Sequence, residues 1–125
     1  MMNTYSKLVI ATAAGILIVA AGFEVANAQS KPPAYLIVEF EITDPDVWKD
    51  YAAGARAIPS IGEFIVRAAK GTTLSGQPPK TITILKFATI EDALAFDSSP
   101  QYVALKPLRD KSSNWRSYVV EGLPN

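Results

Sequence analysis

The sequence has no cysteine and no histidine. Those two absences remove much of the usual catalytic repertoire. Ser-His-Asp and Cys-His nucleophilic sites are excluded, as are His-ligated zinc or copper and His- or Cys-ligated haem. Thiol redox chemistry is excluded too. An excess of one charge is also missing, with 12 Lys and Arg against 12 Asp and Glu. That balance gives no electrostatic case for nucleic acid, other polyanions or an anionic membrane surface. No glycine pattern supports nucleotide binding, because Gly71 and Gly76 fall in a polar stretch between two strands and not between a strand and a helix. No cofactor and no metal are expected.

One long apolar run is present, and it is N-terminal. Lys7 precedes an uncharged apolar and small-residue stretch from Leu8 to Phe23, and Ala26-Asn27-Ala28 forms a small-x-small cleavage site before Gln29. Residues 1–28 therefore read as a secretory signal, and the expected compartment is the periplasm. The competing reading is a retained membrane anchor, since the run is near the short limit for a span. Glu24 and the Ala-x-Ala site favour cleavage. Removal takes one base, Lys7, and one acid, Glu24, so the charge balance survives. What remains is enough for one modest domain, and without cysteine it has to be stable without disulfides. The expected layout is a flexible mature N-terminus over 29–33, a domain over 34–122 and a tail over 123–125.

Ala34 to Tyr51, AYLIVEFEITDPDVWKDY, organises that domain. Tyr35 to Ile42 alternates as a strand, with Leu36, Val38, Phe40 and Ile42 on one face and Tyr35, Ile37, Glu39 and Glu41 on the other. Thr43 offers a capping hydroxyl, Pro45 suits the first helical turn, and Asp44 and Asp46 complement the helix dipole. Val47, Trp48, Tyr51, Ala52, Ala55 and Ile58 recur at helical spacing, and Pro59 ends the helix. Gly54 weakens its interior.

Ile61 to Ala69 reads as a second strand, with Phe64, Val66 and Ala68 opposing Ile65, Arg67 and Ala69. Lys70 to Lys80 is hairpin loop chemistry. Ile82 to Phe87 is the third strand. Thr89 then caps a helix with Ala93, Leu94 and Phe96 on its buried face. Ser99-Pro100 launches a short third helix that Pro107 stops. Trp115 to Glu121 is the last strand, with Trp115, Ser117 and Val119 against Arg116, Tyr118 and Val120. The order is β-α-β-β-α-β, an α+β arrangement in which right-handed crossovers give one antiparallel sheet with both main helices on one face. The other sheet face still carries large apolar groups, so the expected partner is a second copy of the chain, joined sheet to sheet.

The candidate chemistry is sparse. Asp44-Pro45-Asp46 reads as calcium-ligating carboxylates or as helix-capping acids, and the absence of further acids around it favours capping. Glu39 and Glu41 read as an acid/base pair or, more simply, as strand positions paired across to Lys86 or Arg116. Trp48, Tyr51, Phe96 and Tyr102 read as core or as a ligand pocket. Arg109 reads as an interior cation fixed by Pro107 and Leu108, or as a helix-end charge paired with Asp110.

Ser99-Pro100-Gln101-Tyr102, Arg109 and a terminal strand ending Glu121-Gly122 resemble the bacterial family known as domain of unknown function 1330, in the dimeric α+β barrel superfamily. Asp44-Pro45, Tyr51, Gly62, Gly76 and Phe87 fit the same pattern, and the resemblance runs from Tyr35 to Gly122. It implies a ferredoxin-like subunit whose sheet meets that of a second subunit to form a dimeric α+β barrel. The chain departs from the family where Glu63, Ser75, Lys86 and Phe96 replace a usual glycine, two acids and a tryptophan. An activity that depends on those acids does not carry over. By analogy with related barrels, the resemblance implies a pocket between sheet and helices for a small molecule. Tyr51 and Tyr102 would offer hydroxyls there, Arg109 would hold an anionic group and Lys86 would tune the charge, with Ser99 beside them as a family position. Two functions fit: an exported small-molecule-binding protein or cofactor-free enzyme, and a non-catalytic dimeric interaction module. In neither is nucleic acid a partner, nor is the membrane once the signal is cut.

Overall fold

The computed structural model describes residues 31–125. The export signal expected over 1–28, with its Ala28–Gln29 bond, lies outside the described residues. The first strand, β1 (Ala34–Ile42), buries Ala34, Leu36, Val38 and Phe40 in strict alternation. Ile42, expected to continue that face, is 41% exposed. Pairing explains the difference, because the register with β3 (Thr81–Phe87) ends at Phe40↔Thr81, while β4 (Ser113–Glu121) alone accompanies β1 to Ile42↔Ser113.

The helix α1 (Pro45–Arg56) follows. Its cap is Asp44 and not Thr43: the Val47 N–H donates to Asp44 Oδ1 at 3.2 Å. Pro45 occupies the first turn, so the residue immediately before it is the one placed to cap. The backbone N–H groups of Thr43 and Asp44 instead donate to the Ser112 carbonyl at 2.8 and 3.1 Å. The helix ends at Arg56, short of Ile58, since a residue before proline is disfavoured in helical geometry. Ile58 remains buried, outside the helix. A Cβ on Gly54 would stand 2.8 Å from Leu105 Cδ2, so the missing side chain lets Leu105 close on α1.

The strand β2 (Glu63–Ala69) departs most from expectation. Phe64 pairs with Leu85 on the core face, Val66 pairs with Ile84 on the opposite face, and Ala69 pairs with Ile82, with register shifts at both steps. The alternation expected for Phe64, Val66 and Ala68 is therefore broken by β-bulges. Ala68 carries the backbone strain, at φ 46°. Its N–H donates to Thr83 Oγ1 at 3.0 Å.

Three helices separate β3 from β4. In α2 (Ile90–Ser98) Thr89 Oγ1 accepts the Asp92 N–H at 3.2 Å, as expected of a cap. Ala93 and Phe96 are buried, but Leu94 is 54% exposed. It lies about 100° round the helix from Ala93. The third helix is shorter than expected: α3 (Pro100–Val103) ends early, and Pro107 opens a further helix, α4 (Lys106–Ser112), where it sits in the first turn. Pro107 is a start and not a stop.

The strand order is β2-β3-β1-β4, every neighbour antiparallel. Tyr51 and Ala55 from α1 and Ala93 and Phe96 from α2 join one buried cluster with Leu36, Val38, Phe40, Leu85 and Phe87. Both helices therefore cover the same sheet face, and the subunit is an α+β, ferredoxin-like fold. Past the sheet, the Gly122 N–H donates to the Pro33 carbonyl at 2.7 Å.

Candidate functional site

The candidate side chains meet where Tyr51 of α1 reaches Tyr102 of α3. Tyr51 lies mid-helix on α1, one turn after Trp48, and is 5% exposed. Tyr102 is 3% exposed and is set by the cap of α3. Its N–H donates to Ser99 Oγ at 3.3 Å, while that hydroxyl donates to the Phe96 carbonyl at 2.8 Å. The two phenol oxygens stand 2.8 Å apart. Arg109 Nη1 donates to Tyr102 Oη at 3.4 Å, and Arg109 Nε donates to Asp110 Oδ1 at 2.9 Å. The guanidinium lies 5.0 Å from the Trp115 ring centroid and 5.9 Å from that of Tyr102, within cation–π range. Phe40 stacks on Trp48 at 4.9 Å, and Tyr51 meets Trp115 edge-on at 5.8 Å.

A hydroxyl count follows from this geometry. The tyrosine pair owns two O–H protons, and one of them fills the bond between the two oxygens. Arg109 supplies its own proton to Tyr102, so the second phenol proton remains for an acceptor outside the pair. Burial, then the neighbouring Tyr102, pushes the Tyr51 phenol pKa well above its usual value despite the opposing Arg109 charge. Tyr51 therefore stays neutral at physiological pH and serves as a hydrogen-bonding group, not as a base. Burial works against the charge on Arg109, but its bonds to Asp110 and Tyr102 outweigh that and raise its pKa.

Tyr51 and Tyr102 both line a cavity of about 110 Å³ between sheet and helices. Its floor is Leu36, Val38 and Leu85, and Trp48, Phe96 and Trp115 line it as well. The buried lining residues mark a closed end at Val38, Phe40, Phe96 and the tyrosines. The exposed ones, Arg56, Arg67 and Ala68, mark the open side.

Of the expected site residues, the structure brings Tyr51, Tyr102 and Arg109 together. Arg109 stands behind Tyr102 and is not part of the cavity wall. Ser99 is spent on the α3 cap. Lys86 lies apart, opposite Tyr35 and Glu63 on the sheet face away from the helices. Arg56 and Arg67 are cavity residues that sequence reasoning missed. Arg67 was hidden by the bulges: strict alternation turns it away from Phe64, whereas its guanidinium sits 5.1 Å from the Phe64 ring centroid. Neither a glycine nor an asparagine marks the bulge, so the sequence carries no signal for it.

Two of the candidate carboxylates, Glu39 and Asp44, are otherwise engaged. Arg116 Nη2 donates to Glu39 Oε1 at 2.6 Å across the sheet, which settles Glu39 as a cross-strand partner. Asp44 caps α1. Among the described residues no group of three Asp, Glu, His or Cys side chains could hold a metal ion, and no helix is long and apolar enough to cross a membrane.

Several solved structures share this fold. A dabb family protein with a ferredoxin-like fold from Mesorhizobium loti superposes with a TM-score of 0.57 at 13% identity, covering 74% of this chain and 99% of that one. A dimeric ferredoxin-like protein of unknown function from Thermobifida fusca gives 0.53 at 14% identity, over 74% and 92%. A dimeric protein of unknown function with a ferredoxin-like fold from Bacteroides fragilis gives 0.52 at 15% identity, over 72% and 96%. Identities this low establish the fold alone. No curated protein matches the sequence. The family model described as Domain of unknown function (DUF1330) matches residues 33–123, the whole described domain, and the chain belongs to that family.

Proposed function

We propose that the protein is an exported homodimer that binds a small, largely apolar compound carrying an oxygen acceptor, in the cavity between sheet and helices. The observation that carries this reading is the Tyr51–Tyr102 hydroxyl pair set among apolar cavity walls, with one donor proton uncommitted. A buried, neutral donor favours a ligand carbonyl, carboxylate or phenol oxygen, because an unpaired polar atom in such a site is costly. Arg109 and Ser99 act on the ligand only through Tyr102, one by its side chain and the other by its backbone. The same donor would polarise a bound carbonyl in a cofactor-free reaction.

The homodimer is supported by the uncovered sheet face. Ile37 pairs with Ile84 and Tyr118, and Tyr35 pairs with Val120, all on that face. Tyr118 and Val120 are 44% and 42% exposed. Two of the similar ferredoxin-like structures are themselves dimers. Export rests on Lys7, the apolar run and Ala26-Asn27-Ala28.

The test is a titration of the purified protein with small aromatic alcohols, phenols and acids, followed by the fluorescence of Trp48 and Trp115, which line the cavity. Saturable change in the native protein that Tyr102→Phe weakens supports the reading. No change with any probe overturns it in favour of a dimeric interaction module. Native mass spectrometry of material from its own cell envelope reads cleavage, subunit number and any retained ligand together, and an uncleaved or monomeric protein would contradict the remainder.

A further inference from the structure

The chain has four arginines, and they divide cleanly. Arg109 pairs with Asp110 and Arg116 with Glu39. Arg56 and Arg67 pair with no carboxylate among the described residues, and these two line the cavity. Among the described residues they are also its only charged lining residues, and no acid among them faces the space. An exposed arginine without a partner is ordinarily a solvated surface charge. Here both stand on the open side of one apolar cavity, and Arg67 is held against the Phe64 ring at its wall. The β2 bulges bring Arg67 to that side, at the expense of a strained Ala68.

Resting on the reading of this cavity as a ligand site, we propose that its ligand is a small monocarboxylate. Its apolar body lies among the aromatic walls, and its carboxylate stays at the open side with Arg56 and Arg67. Guanidinium groups are the side chains best matched to a carboxylate, through paired N–H donors. Because the arginines are exposed, the anion keeps part of its hydration and avoids the cost of full burial. Size narrows the class further. The cavity of about 110 Å³ is somewhat below the roughly 150 Å³ of an apolar cavity that takes benzene, so the enclosed body is no larger than one ring or a short branched chain. A ring carrying a second oxygen opposite its carboxylate could also reach the tyrosine donor at the closed end.

The experiment compares benzoate with benzyl alcohol, which keeps the ring and loses the charge. Each is titrated against the full-length mature protein, the Arg56→Gln/Arg67→Gln variant and an Arg116→Gln control. The substituted positions are exposed, and urea midpoints confirm that the variants stay folded. In the native protein benzoate binds about tenfold or more tightly than benzyl alcohol, the scale expected of charge-assisted hydrogen bonds. The double variant loses that advantage and leaves benzyl alcohol within about twofold, while the control behaves as the native protein. Equal binding of the two probes, or benzoate binding that the double variant leaves intact, overturns the carboxylate inference and spares the cavity as a binding site. Binding of neither probe overturns the cavity reading and, with it, this inference.

Discussion

Removing the Tyr102 hydroxyl tests the hydrogen-bond geometry directly. In Tyr102→Phe the ring, which is 3% exposed and packs 4.8 Å from Phe96, keeps its place. Two groups lose a hydrogen-bond partner: Tyr51, whose oxygen is 2.8 Å away, and Arg109, which donates at 3.4 Å. Arg109 retains Asp110 at 2.9 Å, and its bond to Tyr102 is the longer of the two, so its loss is small. Tyr51 loses its one protein partner inside the core, and an orphaned buried hydroxyl costs about 1–3 kcal/mol. The expected destabilisation is thus about 2 kcal/mol. Tyr51→Phe leaves Tyr102 still bonded to Arg109, so its cost is nearer 1 kcal/mol. The double Phe variant removes both polar partners and leaves nothing unsatisfied at Tyr51. It costs no more than Tyr102→Phe alone, with a coupling of about 1 kcal/mol between the sites. Urea unfolding followed by tryptophan fluorescence measures all four proteins, at one fixed protein concentration so that any subunit association contributes equally to each. A Tyr51→Phe cost larger than that of Tyr102→Phe, or costs that add, would refute the three-group arrangement.

Two further outcomes follow from the fold. Asp44→Ala loses the α1 cap and lowers stability by about 1 kcal/mol, whereas Thr43→Ala changes it little, and chemical denaturation of the pair separates the two capping assignments. Glu39 supplies a pH signature. Its hydrogen bond from Arg116, then one from Tyr118, holds its carboxyl below the usual value of 4.5. A lowered folded pKa means the contribution is complete above the unfolded value and is lost as pH falls through the folded one. Thermal midpoints therefore decline below about pH 4.5, and Glu39→Gln flattens that part of the profile; an unchanged slope would remove Glu39 as its source.

The elements that the sequence made legible are those whose local chemistry and tertiary fate agree. The alternation of Leu36, Val38 and Phe40 and the Thr89 and Ser99 caps appear where residue type and spacing place them. Errors arose where a neighbour outvoted a local rule. Pro45 transferred the cap from Thr43 to Asp44, and Pro107 began a helix because Lys106 and Leu105 already carried the chain into one. The cavity arginines were illegible for a deeper reason. A bulge is a property of two strands in register, and nothing in the EFIVRAA segment by itself reveals that Val66 turns to the face opposite Phe64 while Arg67 comes to the side of the Phe64 ring.

The same irregularity has a consequence at the molecular boundary. In the order β2-β3-β1-β4, β2 is an edge strand, and an unpaired edge is a template on which another chain can extend the sheet. Its ladder is broken between Phe64 and Val66 and again between Val66 and Ala69, and Ala68 turns out of extended geometry. A bent edge of that kind offers no continuous row of backbone donors and acceptors to a newcomer. The bulges that deliver Arg67 to the cavity thereby also protect the protein from edge-to-edge aggregation, and they leave the broad sheet face as the surface on which subunits can meet.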